Sequence, residues 1–120
     1  MVSDRAHVIC PWHLLEEAAL EKSRGSAAIG TTMRGIGTCY REKVGRTHAI
    51  RIGDLIRKDV FAAKVREIVP FKQRILDVLD PEGPRMDIDQ IITEYSDAAD
   101  RIRPLAADTT SWLLDALDAD

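Results

Sequence analysis

The sequence predicts a mostly α chain with one short β-strand near its N-terminus. Three observations carry that expectation. In the second half, two apolar stripes keep helical spacing, from Phe61 to Leu79 and from Ile88 to Leu105. A run of strong helix formers, LLEEAALEKS, follows His13. A short β-favouring stretch, His7-Val-Ile-Cys10, is stopped by Pro11.

Taken in order, His7 to Cys10 predicts a brief strand and a turn. The helix that follows, from His13, is expected to stop at Arg24-Gly25. Ser26 to Thr38 has Gly or Ser at four of thirteen positions and no period of 2 or 3.6, which predicts a loop. Tyr40 to Arg46 reads as a short helix ended by Gly45 or by Thr47-His48. Ile50-Arg-Ile-Gly53 reads as an extended piece, and Asp54 is placed to cap what comes next. Phe61, Val65, Ile68, Ile75 and Leu79 then share one helical face. Lys72 breaks that stripe, and Pro70 removes a backbone donor, so a kink is expected. DPEGPR, Asp80 to Arg85, is a turn. The stripe of Ile88, Ile91, Ile92, Tyr95, Ala98, Ala99, Ile102 and Leu105 follows, its last turn disturbed by Pro104. Asp108 or Thr110 caps a final short helix bearing Trp112, Leu113 and Leu117. The stripes read as core faces, and Trp12 as a packed residue.

At 120 residues and 13.4 kDa the chain has room for one core. No uncharged apolar run approaches the roughly 18 residues of a membrane span, which predicts a soluble protein with no membrane partner. MVSDRAHVIC lacks the apolar segment of a secretory signal, and the two cysteines, Cys10 and Cys39, form no C-x-x-C pair. Both point to the cytoplasm. Cys10 and His13 have no second pair of ligands nearby, so no structural zinc is expected. The net charge of −3 hides an asymmetry: Lys22 to Lys58 holds nine Lys/Arg and two acids, and Ile75 to Asp120 holds three Arg and twelve acids. A basic, glycine-bearing half suggests an anionic ligand, and an acidic helical half suggests a solvated scaffold. Nucleic acid is disfavoured as that ligand, because the chain is acidic overall and its aromatics are not interleaved with the cations.

Ala28 to Arg46 packs four glycines, three threonines and four cations against one acid, Glu42. Glycines let backbone approach a ligand, and threonines add hydroxyl donors, a combination suited to phosphate oxygens. Gly30-x-x-x-x-Gly35 opens like a P-loop, but Ile36 and Gly37 stand where Lys and Ser/Thr are required. Gly35-x-Gly37 opens like a dinucleotide fingerprint, but Tyr40 takes the third glycine position. What remains is a Gly/Thr loop entering a helix with Lys43 and Arg46 three residues apart, on one face. They suit a phosphate monoester. They equally suit a solvated helix surface, and spacing does not decide between the two.

GTTMRGIGTCYREKVGR resembles the signature of the adenylosuccinate synthetase family, G-T-T-G-R-G-I-G-P-x-Y followed by Lys and Arg at three-residue steps. SDRAHVICPWH, RIGDL and ADRIRPLAADTTSWL are similar to the segments around that signature, so the resemblance covers nearly the whole chain. It implies a central piece of a larger α/β P-loop-type enzyme. Residues 1–58 would carry the strand, a helix and the loop for the phosphate of inosine monophosphate (IMP), and 59–120 a helical subregion. It implies the joining of IMP and L-aspartate with GTP and Mg2+ in AMP biosynthesis, by a homodimer. The IMP 6-oxygen would be phosphorylated from GTP and the phosphate then displaced by the aspartate amine. The GTP and magnesium ligands would lie mostly outside this chain, which alone would not catalyse. By the same resemblance Thr32 binds IMP, and Arg46 reaches across the dimer to the 5′-phosphate in the partner subunit. Lys43 is the active-site lysine, in a catalytic, electrostatic role, and Arg34 stands near the IMP pocket and the dimer contact. Met33 and Thr38 replace a signature glycine and proline, and Met33 predicts a conventional, negative φ. The alternative is a stand-alone helical module that dimerises or binds an anion without catalysis.

Overall fold

The computed structural model describes residues 1–27, 30 and 33–119. The chain runs β1 (Val2–Ser3), α1 (Pro11–Arg24), α2 (Ile36–Gly45), α3 (Ile52–Leu55), α4 (Lys58–Leu79), α5 (Ile88–Ile102), β2 (Ala106–Ala107) and α6 (Thr109–Asp118). Single 3-10 turns lie at Gly25–Ala27 and Arg103–Leu105. The mostly helical fold expected from the apolar periodicity is therefore present.

Both stripes face the core. Phe61, Val65 and Ile68 of α4 meet Ile91 and Ala99 of α5, with Trp12, Ile50 and Leu55 packed among them. Ile75 and Leu79 are half-buried, and Leu76 takes the deeper place. The Phe61 ring stacks on Tyr95 with centroids 5.8 Å apart. The Tyr95 hydroxyl donates to the Ile9 carbonyl at 3.1 Å, tying α5 to the segment that leads into α1. α4 runs on through Pro70, which sits on its exposed side.

The strand lies elsewhere than the sequence indicates. His7 makes one isolated antiparallel bridge with Arg51, while β1, five residues earlier, pairs in parallel with β2, Val2 opposite Ala106 and Ser3 opposite Ala107. A ladder needs a partner that stays extended. The partner of residues 6–8 turns into α3 at Ile52, and Pro11 turns the other side into α1. What survives is a pair of hydrogen bonds, Val8 N to Ile50 O and Ile52 N to Ala6 O, each 2.8 Å. The expected extended piece at Ile50–Gly53 is likewise already helical from Ile52, and the Asp54 carboxylate accepts the Arg51 N–H at 2.9 Å.

α2 begins at Ile36 and not at Tyr40, so the last part of the expected loop is helix. Its entry is held by Thr38, whose hydroxyl lies 2.9 Å from the His13 carbonyl and 3.0 Å from that of Gly35. At the other end of the chain, Asp108 supplies the cap of α6 through the Ser111 N–H at 3.1 Å. α6 buries no residue: Trp112, Leu113, Leu114 and Leu117 are all more than half exposed. The Cα radius of gyration, 16.6 Å, exceeds the roughly 14 Å of a compact chain of this length, which fits a helix standing off the core. Among the described residues no helix is long and apolar enough to cross a membrane.

Candidate functional site: a glycine loop braced against two helices

The glycine-rich segment is held from beneath by α1. Gly35 takes φ 75°, and a Cβ there would stand 3.1 Å from both His13 Cβ and Ile9 Cγ2, so both backbone and space demand glycine. Its N–H donates to Glu17 Oε2 at 2.6 Å, and the Gly30 N–H donates to Glu21 Oε2 at 3.2 Å. Glu17 and Glu21 are one helical turn apart, so one face of α1 grips the loop at two points. Met33 does not have the conventional backbone its side chain suggests. Its φ is 59°, in the left-handed region. The left-handed turn at this position carries a steric cost of about 1–2 kcal/mol.

Thr32 lies outside the described residues. Arg34 and Arg46 are exposed and enter no ion pair among the described residues. α2 ends at Gly45, and Arg46 is its cap, with φ 67° and its N–H bonded to the Glu42 carbonyl at 2.8 Å. Arg46 has left the helical path, so three-residue spacing alone does not place it on the face of Lys43. The two ends of α2 are about 15 Å apart, which separates Arg34 from Arg46 within one chain.

Lys43 is exposed, its ammonium 5.5 Å from the Tyr40 ring centroid. It looks into a shallow cleft of about 320 Å³ shared with Arg5, His7, Ile36 and Tyr40. Burial, then the positive charges of Arg51 and Lys43, hold the His7 imidazole below its usual range, against the weaker pull of Asp54. Lys43 and Arg5 put two cationic side chains on this cleft.

Behind α2 stands a feature that sequence reading leaves unexplained. Lys72, the residue that breaks the α4 stripe, is 3% exposed. Its ammonium meets Glu16 Oε2 of α1 at 3.0 Å and pairs closely with Glu42 of α2. Arg41 closes the ring from the solvent side, 2.6 Å from Glu16 and 3.5 Å from Glu42. Burial pushes the Glu42 carboxyl up, but hydrogen bonds and charge from Lys72, then Arg41, outweigh it and hold the group below its usual range. Removing one partner of such a buried pair costs about 3–5 kcal/mol, because it strands the other charge. Two signals pointed here: a lysine within an apolar stripe, and a single acid within a basic segment.

His13 is also buried. Its Nδ1 accepts the Cys10 N–H at 2.9 Å, closing the first turn of α1. Among the described residues no group of three or more His, Cys, Asp or Glu is arranged to hold a metal ion, so no magnesium site is assigned to them.

These features define a class: a helical segment that carries a braced glycine loop and a short cationic helix. The sequence profile of the adenylosuccinate synthetase family matches residues 1–120, and the chain belongs to that family. It is 42% identical over 120 residues to the adenylosuccinate synthetase of Clostridium perfringens, covering all of this chain and 27% of that one. With the enzyme of Clostridium beijerinckii it is 44% identical over 121 residues, covering 28% of the relative. The structure of a fully ligated adenylosuccinate synthetase from Plasmodium falciparum shares the fold, with a TM-score of 0.83 over 98% of this chain and 27% of that chain at 24% identity. The chain therefore spans about a quarter of the length of the curated relatives it matches.

Proposed function

We propose that this chain supplies IMP-binding and dimer-contact residues to the GTP-dependent ligation of IMP and L-aspartate to adenylosuccinate, in the cytoplasm. The observation that carries the reading is the family match over all 120 residues, with the glycine loop and cationic helix at its centre. Residues 1–58 present the loop and α2, and residues 59–120 form the helical support. Thr32 binds IMP from the loop side, and Arg34 stands near the IMP pocket and the dimer contact. Arg46 serves the phosphate bound by the partner subunit, a role suited by its place at the far end of α2. Ile36, Tyr40 and Val44, at four-residue steps along α2 and 58%, 62% and 65% exposed, offer the apolar contact by which the partner would approach. Lys43, beside them, acts electrostatically.

By this reading the chain's own task is orientation. Cationic forks and hydroxyl donors hold the monophosphate so that the purine is presented in one pose, which removes much of the entropic part of the barrier. GTP supplies the phosphoryl group and magnesium the charge neutralisation, from ligands mostly outside the matched quarter of the family enzyme. The isolated chain is then expected to be inactive.

Two-dimensional amide NMR of the chain with and without IMP tests the site, with shifts expected near Arg34, Lys43 and Arg46. In any assembly that binds IMP, Arg46→Ala should weaken binding about 10- to 100-fold, the loss of one charge-assisted contact. Arg57→Ala should change it little, since Arg57 is engaged with the Gly53 carbonyl at 3.0 Å. Equal losses would reduce the contact to diffuse charge.

A further inference from the structure

We propose that Lys72 is a positioning residue for the anion-binding end of α2, acting through Glu42; this rests on the reading of Lys43 and Arg46 above. Lys72 lies on α4, away from the face that meets the ligand. Its buried ammonium is shared by carboxylates from two other helices, Glu16 on α1 and Glu42 on α2. Glu42 is where that internal charge reaches the site. Its side chain takes Lys72, and its backbone carbonyl accepts the Arg46 N–H at 2.8 Å, the bond that closes the left-handed cap. Lys43 is the next residue along. One residue therefore links the buried charge to both cations of the site.

An apolar side chain would fill this place in the α4 stripe with less desolvation, and buried ion pairs are poor sources of net stability. A point charge between two carboxylates on different helices does something that methylene packing does not. It allows one roll and one height of α2 against α1 and α4, whereas apolar contacts are non-directional. Arg41 on the solvent side also joins α2 to α1, 2.6 Å from Glu16, but its ion pairs do not reach α4, so it cannot substitute for the three-helix link. His48 stands beside the ring of charges, with its Nδ1 3.9 Å from Glu42 and its ring against Phe71 of α4 at 4.7 Å. Neither joins all three helices.

The test compares the full chain with Lys72→Met, Lys72→Arg and Glu42→Gln by amide hydrogen exchange and IMP titration. Lys72→Met and Glu42→Gln should raise exchange at the Arg46 amide by about tenfold or more while leaving Ile91 and Ala99 in α5 unchanged, because the opening is local. Lys72→Arg, which keeps the charge, should restore most of the protection. Glu42→Gln leaves Lys72 paired with Glu16, so it stays readable if Lys72→Met does not fold. Arg46 exchange equal to native in both neutral variants, or rising in step with α5, would make Lys72 a general stability residue and overturn the proposal. IMP affinity unchanged in both would overturn it as well. A native chain that does not bind IMP refutes instead the reading of the loop, and the Arg46 amide still decides whether Lys72 sets the cap.

Discussion

Met33 holds a left-handed backbone, φ 59°, that a glycine adopts freely. Met33→Gly should therefore raise the unfolding free energy measured in urea by about 1 kcal/mol once the added freedom of the unfolded state is subtracted. A fall would show that contacts of the methionine outweigh its strain. His13 makes a second prediction at this scale. Because its Nδ1 accepts a hydrogen bond, the neutral ring carries its proton on Nε2, a buried atom with no partner among the described residues. Burial first, with Lys72 and Arg41 adding to it and Glu42 and Glu16 opposing, lowers its pKa from 6.5 to about 4. The unfolded chain thus takes up a proton below pH 6.5 that the folded chain refuses until about 4. Stability is full above that window and falls as pH drops through it, by on the order of 3 kcal/mol. Urea unfolding at about pH 7 and about pH 5 should show part of this loss. His13→Asn, which keeps an acceptor for Cys10, should flatten it. Glu42, held low by Lys72 and Arg41, adds its own loss further to the acid side.

Among the elements, α4 and α5 were legible because a periodic apolar stripe over many turns has one economical solution, a helix facing a core. The start of α6 was also legible, since Asp108, named from the sequence as a cap, accepts the Ser111 N–H at 3.1 Å. The start of α2 was not. Gly37 and Thr38 are weak helix formers, and they are helical here because Thr38 bonds to the carbonyl of His13, 25 residues away. Pro70 gives the prediction at this scale. It removes a hydrogen bond from the middle of α4 while packing against nothing in the core. Pro70→Ala should stabilise the chain by up to about 3 kcal/mol, seen as a higher Tm with α4 content unchanged by circular dichroism. A lower Tm would mean that the native helix depends on the backbone restriction the proline supplies.

At the scale of the whole molecule, the chain has one well-filled core and one helix that uses none of it. Leu113 and Leu117 stand on one face of α6, four residues apart and 53% and 63% exposed. Trp112 beside them is 57% exposed, so α6 leaves apolar surface open to solvent. Leu113→Asp combined with Leu117→Asp should lower both hydrophobic-dye binding and concentration-dependent self-association in sedimentation, without shifting the unfolding midpoint. A large shift would place α6 within the cooperative unit.

The sequence by itself determined the family, the number and approximate span of the long helices, and which half would carry the cations, because each is written in contiguous residues or in a period that local geometry reads. The tertiary structure decided the rest: the pairing of residues 2–3 with 106–107, the grip of α1 on the glycine loop, the left-handed Met33 and the burial of Lys72. The partners in the decisive hydrogen bonds are 18, 30 and 56 residues apart. No local pattern specifies which distant carboxylate will meet a given lysine. That meeting is set when the apolar stripes close the core and bring the three helices to their final distance, and the buried charges then pair because leaving any one of them alone is the costlier state.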